Sequence, residues 1–252
     1  MTETPTLVTP TVSEPATVPR FDTTERAVHW IHAAAFFSLL ATGLALYLPV
    51  LASTVGNRPV LKALHLGTAT LWLTALLALA VTGDRRRLRR TRQELERFTD
   101  DDLDWLRRRP ARSGRFNAGQ KIHAVLQAAL AALFVITGVL LWLGERDTTL
   151  RFAGTIPVHD ACTFLAIGLV AGHLYLALIY QPTRPALRGM TAGHVDATFA
   201  AEHHAAWTPE PAAAGSWSPT PRARLAALLI VLAGLAGTIT IVHDVLHGAS
   251  GT

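Results

Sequence analysis

Cysteine is almost absent from this sequence of 252 residues: the only one, Cys162, lies inside an apolar segment. A single cysteine excludes an intrachain disulfide framework, a cysteine-rich zinc site and a cysteine-ligated iron–sulfur cluster held by this chain alone. If the chain binds iron, histidine has to supply the ligands. A zinc site at the histidines is a weaker alternative.

Charged residues are scarce in several long stretches. Half of the residues are hydrophobic and the mean hydropathy is +0.30, which is high for a soluble domain. Four apolar runs, at about 30–50, 61–82, 122–143 and 156–180, are long enough to cross a bilayer, and a fifth candidate at 225–243 is rich in Ala and Gly. We therefore predict an all-α integral membrane protein, with a four-helix transmembrane bundle and a fifth transmembrane helix at the C-terminus.

The remaining segments carry no sign of a separate globular domain or a repeat. Residues 1–19 are rich in Thr, Pro, Glu and Val and lack the basic and apolar regions of a signal peptide, so we predict a disordered tail. The main domain is expected over 20–207, with Asp22 to Thr24 capping its first helix and Glu25 in the first turn. A Pro-rich linker, 208–224, leads to the fifth helix.

Basic residues are distributed unequally between the two sides of the predicted bundle. One side carries 19 of the 23 Lys and Arg residues, thirteen of them between residues 84 and 121. By the positive-inside rule that loop and the N-terminus are cytoplasmic in a multi-pass protein of the cell membrane. The pI near 10.1 therefore indicates membrane orientation, and no nucleic-acid partner is expected.

Two histidines lie in the fourth span, His159 and His173, fourteen residues apart. Fourteen residues of α-helix turn by about 1400°, about 40° short of four turns, and rise about 21 Å, so both imidazoles share one face. Ionisable side chains inside a spanning helix are costly and usually functional. Their spacing suggests one axial ligand for each of two haems, one above the other.

Depth in the membrane pairs each of these histidines with one from another helix. The second span enters from outside with His65 near its start, which matches His159 on the outer side. The first span enters from the cytoplasm with His29 at its start, which matches His173 on the inner side. Each pair would supply the two imidazoles of a six-coordinate b-type haem.

Other interpretations of the histidines remain open at this stage. The four could cap helix ends or pack against neighbours, His32 is a rival to His29, and His123 begins the third span with no obvious partner at its depth. The histidines of polar or terminal segments are expected to face solvent or a partner: His194, His203, His204, His243 and His247.

Several motifs between about residues 20 and 207 form a pattern. ERAVHW at 25–30 precedes a span with Thr-Gly at 42–43 and Leu-His at 64–65; FNAGQK occupies 116–121; HDACTFLAIGLVAGH occupies 159–173; RGM at 188–190 and HHAAW at 203–207 follow. The pattern resembles the cytochrome b (gamma) subunit of membrane-bound formate dehydrogenase, in the di-haem cytochrome b family. FNAGQK and the fourteen-residue histidine spacing are its most specific parts.

The resemblance assigns roles to residues. It implies that His65 and His159 ligate an outer haem b, that His29 and His173 ligate an inner one, and that a set of three lines a site for menaquinone or another quinone beside it: Asn117, Gly119 and Gln120. Asn and Gln offer hydrogen bonds to a quinone carbonyl, and Gly permits close approach. The alternative for FNAGQK is a helix N-terminus with Asn117 as cap and Lys121 on the surface.

The resemblance also implies a function. The chain would anchor an iron–sulfur (beta) subunit on the outer face and carry its electrons through two haems to a quinone near the cytoplasmic face. Formate oxidation would belong to a molybdenum- or tungsten-containing (alpha) subunit, because no formate-oxidising site is expected here. The segment 182–207 would dock a partner or membrane lipid, with a solvated tail as the alternative.

Two rival classes and one departure accompany this expectation. A hydrogenase, a thiosulfate reductase or another quinone-linked oxidoreductase could use a similar subunit, and a haem-free scaffold or transporter would use the histidines for packing or proton transfer. The fifth span departs from the family pattern. We expect it to replace, or to pack beside, the single anchoring helix of the iron–sulfur partner.

Overall fold

The computed structural model describes residues 17–209 and 217–247, and this part of the chain is almost entirely helical. Its helices are α1 (Thr23–Tyr47), α2 (Pro49–Val55), α3 (Arg58–Thr82), α4 (Arg85–Glu96), α5 (Asp100–Leu106), α6 (Ala118–Arg146), α7 (Thr155–Leu174), α8 (Leu187–Thr191), α9 (Ala197–His203) and α10 (Pro221–His247). Five of them, α1, α3, α6, α10 and α7 with its extension to Ile179, are long and apolar enough to cross a membrane. The predicted helical membrane protein with a fifth span is confirmed.

The first spanning helix begins before its apolar run because its N-terminus is capped. The Asp22 carboxylate accepts the backbone N–H of Glu25 at 2.7 Å, and the Glu25 carboxylate accepts that of Asp22 at 2.9 Å. This reciprocal capping box starts α1 seven residues ahead of the predicted apolar run. His29 therefore lies in the second turn of the helix.

The spanning helices form two hairpins. α1 lies along α3, and α6 lies along α7, whereas the backbones of one hairpin approach those of the other at few places. A small buried cluster of Leu130, Cys162 and Ala166 with Phe36 lies between the hairpins at mid-bundle. Side chains, and not close backbone contact, therefore occupy the layer between the hairpins.

The fifth spanning helix packs antiparallel along α3. The hydroxyls of Thr70 and Thr238 lie 2.8 Å apart, and a Cβ added to Gly234 would collide with the Thr74 side chain. Small residues of this kind let membrane helices approach closely. α10 therefore extends the first hairpin.

A polar cap closes one end of the bundle; we use this name for residues 17–22, 84–117 and 182–209. Its two strands, β1 (Thr17–Pro19) and β2 (His194–Asp196), pair antiparallel with Val18 opposite Val195. Val195 is fully buried against Phe199 and Trp207. Of the tail predicted over 1–19, residues 1–16 lie outside the described residues and 17–19 form β1; residues 210–216 of the predicted linker also lie outside them.

Arg115 ties the cap to the start of α1. Its guanidinium donates to the Glu25 carboxylate at 2.8 Å, to Glu94 of α4 at 2.6 Å, and to the hydroxyl of Thr91. The side chains of Arg115 and Glu25 are only 6% and 4% exposed. Two buried charges in contact hold FNAGQK, the next motif in the chain, against the N-terminus of α1.

The expectation that His204 faces solvent or a partner is wrong for solvent. His204 is 2% exposed, and its Nδ1–H donates to the carbonyl of Gly114 at 2.8 Å. Burial and the nearby Arg20 guanidinium lower the pKa of His204 to about 4, so the ring is neutral at pH 7. It fixes the end of α9 to the loop before α6.

Removing the Arg115 guanidinium should destabilise the cap. Arg115→Ala leaves the Glu25 carboxylate buried without its cation, and we expect the free energy of unfolding to fall by about 3–5 kcal/mol. Hydrogen exchange of the cap amides in detergent micelles measures this. The matched control is Arg92→Ala, which removes an exposed pair with Glu96 and should cost about 0.5 kcal/mol or less; equal effects of both changes would contradict the role given to Arg115.

Candidate functional site

The four histidines predicted as ligands meet in two pairs between the hairpins. His65 of α3 faces His159 of α7 with ring centres 6.4 Å apart, and we name these the distal pair because they lie away from the cap. His29 of α1 faces His173 of α7 with ring centres 6.2 Å apart, the cap-side pair. Each pair joins one hairpin to the other, in the combinations that depth predicts.

Both separations fit two imidazoles on opposite sides of one metal ion. Two metal–nitrogen bonds of about 2.0–2.1 Å, with about 1.1–1.2 Å from each nitrogen to its ring centre, sum to about 6.2–6.6 Å. Within residues 17–209 and 217–247, no group of three or more His, Cys, Asp or Glu side chains is placed to hold a metal ion. Two protein ligands per centre suit a haem, whose macrocycle supplies the rest, and do not suit a structural zinc site.

The Nδ1 atoms of the distal pair already have partners. His65 Nδ1 lies 2.9 Å from the hydroxyl of Thr42, and His159 Nδ1 lies 2.7 Å from that of Thr137. The Nε2 atoms of both rings are therefore the ones left to meet a metal.

The cap-side pair has different neighbours. His123 of α6 stacks on His173, with ring centres 5.1 Å apart and planes 14° apart. His32 instead packs against Trp72, ring centres 5.5 Å apart. Three imidazoles thus gather at the cap-side level, and His29 rather than His32 meets His173.

The backbone changes directly after His173. Residues Tyr175–Ile179 form a π-helical turn, in which the N–H of Tyr180 donates to the carbonyl of Tyr175 at 2.9 Å. Such turns are rare and often accompany functional sites. The cap also reaches this level, because the Trp30 indole N–H donates to the carbonyl of Met190 in α8.

FNAGQK starts α6, as the capping interpretation predicts. Asn117 Oδ1 accepts the N–H of Gln120 at 2.9 Å, and Gln120 Oε1 accepts the N–H of Asn117 at 3.0 Å. Both amide oxygens are therefore used in the cap, whereas within the described chain neither side-chain NH2 group makes a hydrogen bond. The motif caps a helix and still presents two free donors.

Lys121 is not on the surface, so that part of the capping interpretation is wrong. Its ammonium group is buried and donates to Asp102 at 2.6 Å and to the carbonyl of Arg97 at 2.9 Å. Burial alone would raise the pKa of Asp102, but hydrogen bonds from Lys121 and Thr99 lower it below its usual value. This ion pair fixes α5 against the start of α6.

Gly119 provides room for an aromatic ring. A Cβ at Gly119 would stand 2.9 Å from Cη2 of Trp105, closer than real contacts allow. Gly permits close approach here as expected, but within this chain the group that approaches is the Trp105 indole.

Sequence reasoning missed Thr137, His123 and Trp105. A signal for Thr137 was present: Thr-Gly at 42–43 recurs at 137–138, and the histidine that each threonine contacts lies 23 and 22 residues further on. No comparable signal marks Trp105, which approaches Gly119 from a separate helix of the cap.

The chain is similar to known membrane cytochromes b. Residues 20–193 match the family model described as prokaryotic cytochrome b561. The chain is 26% identical over 211 residues, 78% of its length, to the formate dehydrogenase cytochrome b556 subunit of Haemophilus influenzae, covering 84% of that protein. It is 22% identical to the nitrate-inducible formate dehydrogenase cytochrome b556(Fdn) subunit of Escherichia coli K12, over 73% of this chain and 86% of that one. It is 23% identical to the cytochrome b556(fdo) subunit of the same strain, over 76% of this chain and 92% of that one.

Proposed function

The chain belongs to the prokaryotic cytochrome b561 family, and we propose that it is the membrane-anchoring cytochrome b subunit of a formate dehydrogenase. In this role it carries electrons from an iron–sulfur subunit through two b haems to the quinone pool. The carrying observation is the pair of imidazole–imidazole separations, 6.4 and 6.2 Å, each of which bridges the two hairpins. The similarity to formate dehydrogenase cytochrome b556 subunits indicates that the substrate of the whole complex is formate.

The residues that would hold the haems are His65 with His159 and His29 with His173. When bound, haem supplies one-electron transfer between its ferrous and ferric states, tuned by its axial ligands. Because α7 contributes one histidine to each pair, it sets the distance between the two centres along the bundle. The apolar cluster of Leu130, Cys162 and Ala166 lies between the two levels.

Two features support quinone chemistry at the cap side: hydrogen-bond donors and their nearness to the cap-side histidines. The free amide NH2 groups of Asn117 and Gln120, on either side of Gly119 in the chain, can donate to a quinone carbonyl. They stand at the N-terminus of α6, within two turns of His123, which stacks on the proposed ligand His173. Donors for the quinone and a ligand for the iron thus share one region.

Orientation follows from the charges of the cap. The arginine-rich helix α4 lies immediately after α3, and the cap bears most of the basic residues, so the positive-inside rule puts the cap and the N-terminus in the cytoplasm. Anionic lipid headgroups are then the partners of the exposed arginines of α4. The distal pair faces the outer side, where the iron–sulfur subunit would donate electrons; a molybdenum- or tungsten-containing subunit would oxidise formate.

Single histidine changes test the haem assignment. His65→Ala or His159→Ala should lose about half of the haem, because each pair serves one centre. The haem-to-protein ratio and the α band of a reduced-minus-oxidised spectrum measure this. His32→Ala is the control that should keep both haems.

Three outcomes contradict the assignment. Absence of any b-type α band in correctly inserted wild-type protein would leave a haem-free scaffold or transporter as the function. Loss of both haems by either distal change, in a stable protein, would contradict the pairing. Loss of a haem in His32→Ala but not in His29→Ala would move the cap-side ligand to His32.

The quinone site can be separated from the helix cap. Asn117→Asp and Gln120→Glu keep the capping oxygens but replace the NH2 donors, so α6 should still begin at the same residue. Each lost hydrogen bond should weaken quinone or quinol-analogue binding about tenfold. Titration of a fluorescent quinol analogue, whose emission is quenched on binding, or the spectral shift of the haem measures it. Unchanged affinity in both variants would remove these residues from the site.

The catalytic partner is identified by co-purification of the native complex. We expect an iron–sulfur subunit and a molybdenum- or tungsten-containing subunit with formate-dependent reduction of the b haems. Hydrogen-dependent or thiosulfate-linked turnover of the haems, without a response to formate, would favour the hydrogenase or thiosulfate reductase alternative. Deleting 208–252 in the same complex tests whether α10 is needed to retain the iron–sulfur subunit.

A further inference from the structure

The same local arrangement occurs once in each hairpin. In the first, Thr42 of α1 contacts His65 of α3; in the second, Thr137 of α6 contacts His159 of α7. A glycine follows each threonine in the chain. Two hairpins with little else in common in their sequences thus place a hydroxyl against the Nδ1 atom of a distal histidine.

The direction of these hydrogen bonds follows from the threonine hydroxyls' other contacts. The Thr42 hydroxyl donates to the carbonyl of Ser38 at 2.9 Å, and the Thr137 hydroxyl donates to that of Leu133 at 2.6 Å. A carbonyl only accepts, and a hydroxyl has a single proton to donate. Both contacts of each hydroxyl are satisfied together when its oxygen accepts from the imidazole, which then carries its proton on Nδ1.

We propose that Thr42 and Thr137 are positioning residues that hold His65 and His159 as Nδ1–H tautomers, with the Nε2 lone pair of each directed to the distal haem iron. The proposal rests on the haem ligation proposed above. An acceptor on Nδ1–H fixes the ring orientation and raises the basicity of the ligating nitrogen. Away from bulk water the threonine also satisfies a buried N–H; for His159 it is the hydrogen-bond acceptor seen within the described residues, whereas His65 has the backbone of Leu39 as a second one.

Glycine beside the threonine helps to bring the ring close. A Cβ at Gly43 would stand 3.3 Å from Cε1 of His65, tighter than most real contacts. The His65 imidazole can therefore lie directly against α1, within reach of Thr42. Gly138 has open space where its Cβ would be, so this part of the arrangement belongs to the first hairpin alone.

The distal and cap-side pairs differ in the hydrogen bonding of their imidazole rings. Among residues 17–209 and 217–247, neither His29 nor His173 has a hydrogen-bond partner for its ring; they have ring neighbours instead, Trp30 and His123. The threonine effect should therefore be confined to the distal haem. The cap-side haem serves as the reference within the same molecule.

Valine substitution is the test, because valine keeps the shape of threonine and removes the hydroxyl. In the purified complex, Thr42→Val and Thr137→Val should each raise the midpoint potential of the distal haem, because a less basic ligand stabilises ferric iron less, and should lower haem affinity by about tenfold. The ferric EPR signal of that haem should shift as its imidazoles lose their fixed orientation. His65→Ala identifies which signals are distal.

Three controls accompany the valine variants. Thr42→Ser and Thr137→Ser keep the hydroxyl and should restore the wild-type potential. Thr163→Val removes a hydroxyl bonded only to a helix carbonyl, that of His159, and should leave both potentials unchanged. If a valine variant does not accumulate, electron–nuclear double resonance on the wild-type protein replaces it: each distal imidazole should show a deuterium-exchangeable Nδ1 proton.

The outcomes separate this inference from the function on which it rests. Wild-type protein without haem overturns both. Haem present, with potentials and EPR signal unchanged in both valine variants, overturns the threonine role and leaves the function intact. Equal shifts of both haems, serine variants that behave like valine, or distal imidazoles without the exchangeable proton would also overturn it.

Discussion

A hydrogen-bond donor carried into the hydrocarbon layer has to find its acceptor inside the protein, and this constraint governs where the polar side chains of the bundle lie. Threonine meets it by donating to a carbonyl of its own helix, as Thr42 and Thr137 do. Because the hydroxyl proton is used in that hydrogen bond, each hydroxyl can act only as an acceptor towards groups outside its own helix. The histidines that complete these contacts are drawn to the layer between the hairpins and away from lipid.

At the membrane edge the same demand is met with charges. Arg115 and Glu25 pair across 90 residues of sequence, and Lys121 pairs with Asp102 of the cap. These buried pairs hold the first turns of α1 and α6 at fixed heights relative to the cap. Since His29 and His123 lie within two turns of those starts, the cap determines the level at which their rings meet His173.

Features that depend on a local sequence pattern are predicted correctly. The burial of a polar side chain is not, when it depends on a partner from a distant segment. Apolar runs locate all five spans, and the fourteen-residue spacing with entry side is enough to pair the four histidines in the combinations observed. Burial of Lys121 and His204 was missed because their partners, Asp102 and Gly114, lie on separate segments of the cap. Residue type alone classed both as polar surface residues.

The difference between the two histidine levels has a chemical logic. The distal rings place their Nδ1 atoms against the hydroxyls of Thr42 and Thr137, each of which also contacts a carbonyl of its own helix. The cap-side rings lie beside His123, within two turns of the unused amide donors of Asn117 and Gln120. Quinone reduction consumes protons together with electrons, whereas receiving electrons from an iron–sulfur cluster needs none. A bundle whose unused amide donors gather at one end is suited to placing a proton-consuming step at that end.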